Sequence, residues 1–140
     1  MSISPSTAAS AAGLAALEER LRDDPITLGW PAKAWISPAT RNDRPVHDVI
    51  VIGAGQAGLA LSMALQQVGI KPVLLDQSPL DFEGPWATTA RMETLRSPKE
   101  LTGPAMGVPS LSFRAWFIAQ FGRDAWTALD KIPRLQWMDY

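Results

Sequence analysis

The hexapeptide Gly53-Ala54-Gly55-Gln56-Ala57-Gly58 constrains this chain more than any other feature. Three side-chain-free positions at this spacing suit a strand that turns sharply into a helix. Ahead of them lies Val46-His47-Asp48-Val49-Ile50-Val51-Ile52, which reads as a strand over 46–52, buried on both faces of a parallel sheet. Gln56 to Val68 is rich in Ala and Leu and reads as a helix. Gly69 follows at a position where a left-handed backbone commonly closes a helix. Pro72-Val73-Leu74-Leu75-Asp76 reads as a second short strand.

Each part of this pattern has a physical task. Gly53 permits the sharp turn, Gly55 lets a pyrophosphate approach the backbone, and Gly58 lets the helix pack closely on the strand. The helix start presents free N–H groups and the positive end of its dipole to the phosphates. Asp76 lies 18 residues after Gly58, at the end of the second strand. Its carboxylate can accept hydrogen bonds from the two hydroxyls of an adenosine ribose, and it would repel a 2′-phosphate there. Gln56 and Ala57 in the first helical turn, and Gln77 beside Asp76, complete this set of candidate contacts. Strand, loop, helix, strand and acid occur in the right order. The segment therefore reads as a dinucleotide-binding β–α–β unit of Rossmann type, rather than a glycine-rich turn of another α/β protein. These residues alone leave FAD and NAD both open.

Composition removes other chemistries. With 140 residues the chain is about one domain long. A net charge of −1 gives no electrostatic footprint for nucleic acid or anionic membranes. The absence of cysteine excludes disulfides, thiolate zinc sites and a dithiol redox pair. His47 is the sole histidine, so no metal site and no Ser–His–Asp triad is expected, and no side chain stands out as catalytic. Met1 to Pro5 lacks the basic region of a signal peptide. The longest apolar run, Val49 to Leu65, is broken by Gly53, Gly55, Gln56, Gly58 and Ser62. A cytoplasmic protein without a membrane partner is expected.

Outside the central unit, residues 1–9 read as disordered. Ser10 caps a helix running to Asp23, ended by Asp24-Pro25. Residues 26–45, with Trp30 and Trp35, read as a proline-rich extended arm. Residues 77–111 are loop-like, with Pro98 opening a short helix. Ser112 caps a stronger helix with Phe113, Trp116, Phe117 and Phe121 at helical spacing, closed by Gly122, and another short helix covers Asp124 to Lys131. The expected organisation is an N-terminal helix and Pro/Trp-rich arm over 1–45, then 46–140 as the first portion of a dinucleotide-binding domain. The fold class is α/β, with an incomplete parallel sheet and a helical, loop-rich C-terminal half. Six tryptophans are many for this length. Either Trp116, Trp126 and Trp137 are left as an exposed apolar patch awaiting later segments, or they fill this chain's own core; the first is slightly favoured.

A family resemblance separates the cofactors. Val49 to Ala60 (V-I-V-I-G-A-G-Q-A-G-L-A), followed by Leu74-Leu75-Asp76-Gln77, resembles the amino-terminal FAD site of flavoproteins with two dinucleotide-binding domains. Gly84-Pro85-Trp86 resembles the G-x-W element of flavin-containing and Baeyer–Villiger monooxygenases. Ala90-Arg91-Met92-Glu93 and Ser110 to Trp116 resemble segments of lysine and ornithine N-hydroxylases, with Glu93 where that family has Gln. The resemblance runs from residue 46 to about 122. It implies FAD as cofactor, NAD(P)H as co-substrate, and O2 activated as a flavin hydroperoxide to oxidise a small molecule. It places Trp86, Arg91 and Met92 beside the flavin, although Trp86 is equally well explained by packing under a loop. Arg91, Arg96 and Lys99 can steer NADPH phosphates or a substrate carboxylate, with a solvated basic face the simpler reading of Arg96 and Lys99.

The chain carries no second glycine fingerprint and nothing like the later flavin-cradling segment of that family. It reads as an N-terminal fragment of an FAD-dependent monooxygenase, with the missing domains absent or supplied by a second polypeptide. Two other readings remain: an NAD-linked oxidoreductase with a single Rossmann domain, and a non-catalytic nucleotide-binding or partner module.

Overall fold

A computed structural model of the chain describes residues 7–101 and 103–140, with side chains from Ser10 onward. Residues 1–6, within the segment expected to be disordered, lie outside the described residues. The chain divides into two compact units. One is Pro25–Thr89; the other combines the residues up to Asp24 with Ala90–Tyr140.

Helix α1 spans Thr7–Thr27, longer than the expected 10–23. Pro25, expected to end the helix, lies inside its last turn and forfeits a backbone hydrogen bond there. The helix is closed instead by Gly29, whose φ of +70° is that of a left-handed cap. Its N–H donates to the Ile26 carbonyl at 3.0 Å.

In the unit 25–89, the expected extended arm contains a hairpin. Strands β1 (Ala39–Arg41) and β2 (Arg44–Val46) pair antiparallel, with Arg41 opposite Arg44. Asn42 and Asp43 form the connecting turn, with φ of 51° and 58°. Positive φ at both central residues is the geometry of a type I′ turn, whose twist matches that of the flanking strands.

The expected strand 46–52 is therefore split. Val46 pairs with Ala39 in the hairpin, and β3 covers Ile50–Ile52 alone. Helix α2 (Gln56–Gln67) leads from β3 to β4 (Val73–Leu75), which lies parallel to β3 with Ile50 opposite Val73 and Ile52 opposite Leu75. Gly69, at φ +81°, closes α2, its N–H donating to Gln66 O at 3.1 Å. The expectation of a strand buried on both faces is corrected. Val51 is buried, but Ile50 is 52% exposed and Ile52 88% exposed. Ile50 and Ile52 project from one face of β3 and Val51 from the other, and the face carrying the two isoleucines is left open.

The other unit is built on aromatic packing. Helix α3 (Phe113–Phe121) is capped by Ser112, whose Oγ accepts from Ala115 N at 3.2 Å. Gly122 closes it at φ +89°. Helix α4 covers Arg123–Ala128, and α5, without a sequence expectation, covers Arg134–Asp139. Phe113 and Phe117 are fully buried, and Trp126 and Trp137 are buried beside them. Ring centroids lie 5.3 Å apart for Phe113–Trp137 and 5.9 Å for Phe117–Trp126. Trp116, partly buried, stacks at 5.5 Å from Phe113. The favoured expectation of an exposed tryptophan patch is thus corrected: these rings fill the unit's own core, because α3, α4 and α5 bring them onto one centre.

Gly13 of α1 lets the helix backbone approach Ala119 of α3; a Cβ there would lie 3.0 Å from the Ala119 carbonyl carbon. The helix expected at Pro98 is a single turn, closed by Leu101 N donating to Pro98 O at 3.1 Å. Beside it, Lys99 Nζ donates to the carbonyls of Trp126 at 2.9 Å, Thr127 at 3.3 Å and Leu129. A cation at the end of α4 satisfies carbonyls that the helix leaves open. Lys99 is thus a helix cap rather than part of a solvated face.

Candidate dinucleotide site

The loop at 53–58 joins the end of β3 to the start of α2, and both flanking strands shape it. Gly53 N donates to Leu75 O at 2.7 Å, carrying the β3–β4 ladder one step beyond the strands. Its φ of +102° is a conformation that side-chain-bearing residues rarely adopt. A Cβ on Gly58 would fall deep inside the Gly53 carbonyl oxygen and 2.9 Å from its carbon, with Leu74 Cδ1 3.5 Å away. The first turn of α2 therefore sits directly on the loop that precedes it. Gly55 is the N-cap and supplies no side-chain cap. The first N–H groups of a helix have no partner within it, so those of Gln56, Ala57 and Gly58 face out of the turn as donors.

Asp76 comes to the mouth of this turn. Its Oδ2 accepts from Ala54 N at 2.6 Å and its Oδ1 from Ser78 N at 2.7 Å. These two donations, Ser78 first and Ala54 second, hold the carboxyl below its ordinary value against an opposing desolvation. The group is exposed. A carboxylate offers about four lone-pair positions, so two remain for further donors. Gln77, also exposed, follows it on the same rim.

Facing the loop is the Gly84-Pro85-Trp86 segment, which the sequence singled out through its resemblance to the G-x-W element. Gly84, at φ +78°, brings its backbone against Gly55: a Cβ on Gly55 would lie 3.3 Å from Gly84 Cα. The half-buried Trp86 stands next in this wall, its Cδ1 3.7 Å from where a Gly84 Cβ would be. The structure thus brings Gly53, Gly55, Gln56, Ala57, Gly58, Asp76, Gln77 and Trp86 into one unit. Ala54 and Ser78 join them through their N–H groups, which no side-chain pattern could reveal. Gly84 carried a usable signal, a glycine before proline in a loop.

Arg91 and Met92 belong to the other unit. Arg91 is exposed, and the Met92 carbonyl accepts from Arg134 Nε at 3.2 Å. Glu93 O accepts from Arg134 N at 3.0 Å and Leu95 N donates to Ile132 O at 2.8 Å, so this stretch pairs with the segment leading into α5. Among the described residues no group of His, Cys, Asp and Glu could hold a metal ion, and no helix is long and apolar enough to cross a membrane.

Residues 46–101 match the model of an FAD binding domain. The chain is 48% identical over 128 residues to an FAD-dependent urate hydroxylase of Xanthomonas campestris, covering 91% of this chain and 27% of that protein. It is 45% identical over 49 residues to a chloroplastic neoxanthin synthase of Solanum lycopersicum, covering 35% of this chain and 9% of that protein. The chain thus spans about a quarter of the length of the hydroxylase it resembles. No solved structure matches it significantly.

Proposed function

We propose that this chain supplies the part of an FAD-dependent monooxygenase that grips the adenosine diphosphate end of FAD. The observation that carries the reading is the placement of an ionised carboxylate, Asp76, at a glycine turn that opens a helix, inside a segment matching an FAD binding domain. The residues fit the group. Gly55 and Gly58 keep side chains out of the phosphate approach, the N–H groups at 56–58 meet its negative charge, and Asp76 has lone pairs left for the ribose hydroxyls. The unit is then a Rossmann-type β–α–β element of a sheet that is wider in the whole protein.

When bound, FAD supplies the redox chemistry that passes electrons from a reduced nicotinamide to O2. The protein's own part is to bind, orient and shield it. Trp86 walls the cleft near Gly84 in this reading, and Arg91 and Met92 approach the flavin only in the longer protein. The two-domain organisation and class B chemistry of the resembling monooxygenases belong to the same proposal. So do NAD(P)H as co-substrate and a cytoplasmic location. So does the hydroxylation of a small heteroaromatic molecule such as urate, since the relative with 48% identity is a urate hydroxylase.

Equilibrium dialysis of FAD against the 140-residue chain tests the reading. The expected result is weak, saturable binding that ADP competes away and that Asp76→Ala abolishes, with no NADPH oxidation by the chain alone. Binding of NADH in preference to FAD would favour a single-domain NAD-linked oxidoreductase. Binding of neither nucleotide would overturn the reading and leave a partner module.

A further inference from the structure

In the unit formed by the residues up to Asp24 and by Ala90–Tyr140, a cleft runs between α1 and α3. The two helices lie antiparallel along it. At one end Ser10 Oγ donates to Gln120 Oε1 at 3.1 Å, and Gly13 rests against Ala119. At the other end Ser110 Oγ donates to Asp24 Oδ2. The volume of the cleft is about 690 Å3, within the range of small-molecule sites. The glycine turn and Asp76 belong to the other unit.

Three arginines line this cleft, Arg20, Arg114 and Arg123, and all three are exposed to whatever enters it. Arg20 precedes Asp24 by one turn on the same side of α1, so it stands toward the start of α3, where Arg114 lies. Arg123 follows the far end of that helix. At 1.5 Å per residue α3 is about 13 Å long, so positive charge stands at both ends of the cleft.

No Asp or Glu lines the cleft to neutralise that charge. Two acids of α1 are engaged elsewhere: Glu18 pairs with Arg22 at 3.6 Å, and Asp24 accepts from Ser110. Among the described residues none of the three guanidinium groups forms an ion pair with a carboxylate. Arg114 lies over the ring of Trp126, 5.9 Å from its centroid. In a chain of net charge −1 this is a local reversal of sign. A guanidinium presents its donors in a fork that matches a carboxylate, and like charges along a cleft focus their field on an incoming anion. Between the charged ends the walls are apolar, with Ala16 on α1 facing Ile118 and Ala119 on α3.

We propose that this cleft binds a small organic dianion, two acidic groups joined by an extended apolar body. One acidic group accepts from Arg20 and Arg114 at the start of α3. The other accepts from Arg123 past its end, and the body lies on Ala16, Ile118 and Ala119. The site stands independently of the dinucleotide reading.

Nonanedioate is a suitable probe, in a 1H–15N NMR titration of the 140-residue chain in low-salt buffer. The expected result is a saturable shift of the side-chain N–H signals of Arg20, Arg114 and Arg123 and of the α3 amides, with the amides of 53–58 unmoved. Arg20→Gln and Arg123→Gln should each weaken the probe by about twofold to fivefold, the worth of one exposed ion pair. Nonanoate, the same chain with one carboxylate, should be weaker by a similar factor. Arg22→Gln removes a charge from α1 outside the cleft and should leave binding unchanged. Backbone spectra matching the parent establish that each variant is folded, and each is an independent test should the other fail to fold. No saturable shift below about 10 mM nonanedioate would overturn the proposal. Equal weakening by Arg22→Gln, or equal binding of nonanoate, would reduce the effect to general attraction and overturn it as well. FAD is followed separately by dialysis, so either proposal can fail while the other stands.

Discussion

Asp76 accepts from two backbone N–H groups on different segments, Ala54 in the glycine turn and Ser78 beyond the strand. Asn at this position keeps one acceptor and turns an NH2 toward a donor. Asp76→Asn is therefore expected to weaken FAD by about tenfold to a hundredfold, as for hydrogen bonds to a charged group, read by dialysis. The pH dependence has a definite sign. Because the folded carboxyl titrates below its ordinary value of 3.8, its stabilising contribution is present above that value. It is lost as pH falls through the lower, folded value. The stability difference between wild type and Asp76→Asn should be constant at neutral pH and shrink in strong acid; a difference that grows in acid would contradict this origin. The glycines separate in a similar way. Gly58→Ala forces a Cβ into the Gly53 carbonyl and should cost about 1–3 kcal/mol, as overpacking does, by urea denaturation. Gly55→Ala, with 3.3 Å to Gly84 Cα, asks for a small shift; it should leave stability near wild type and act mainly on nucleotide binding.

Among the elements, α3 offers the cleanest test of how local chemistry sets structure. Ser112→Ala removes the cap on Ala115 N and should cost about 1 kcal/mol, whereas Phe117→Ala empties a fully buried site and should cost about 3–5 kcal/mol, both by denaturation midpoint. Equal effects would mean that the cap, not the aromatic core, governs the helix. This helix was legible in the sequence because cap, aromatic spacing and closing glycine agree. So was the β3–α2–β4 order, where three glycines and an acid fix the geometry. The hairpin 39–46 was not legible. Its strands are three residues each and exposed on both faces, so no alternation marks them, and Pro45 is a residue type that strands disfavour. The run from Val46 to Ile52 was read through its polar interruption at His47-Asp48, where the chain breaks between β2 and β3; residue type alone does not say with which partner a strand pairs. Helix α5 follows Pro133 with no polar side-chain cap. The tryptophans could not be apportioned between core and surface until α3, α4 and α5 had been placed around them.

On the scale of the whole chain, the open apolar face of β3 is the main liability. Parallel strands are ordinarily covered on both faces, and an open apolar face invites association. Ile52→Lys, at a side chain 88% exposed, should raise the concentration at which the protein stays monomeric in sedimentation, with little change in denaturation midpoint. A large loss of stability would mean that Ile52 is packed after all. The Asp76 tether carries one more consequence. The group proposed to read the nucleotide also fastens the turn to the second strand, so in that reading occupancy and folding share one equilibrium. Each tenfold excess of free nucleotide over its Kd should add about 1.4 kcal/mol to resistance against heat, making thermal shift a direct measure of cofactor affinity even where the complex is too weak to survive purification.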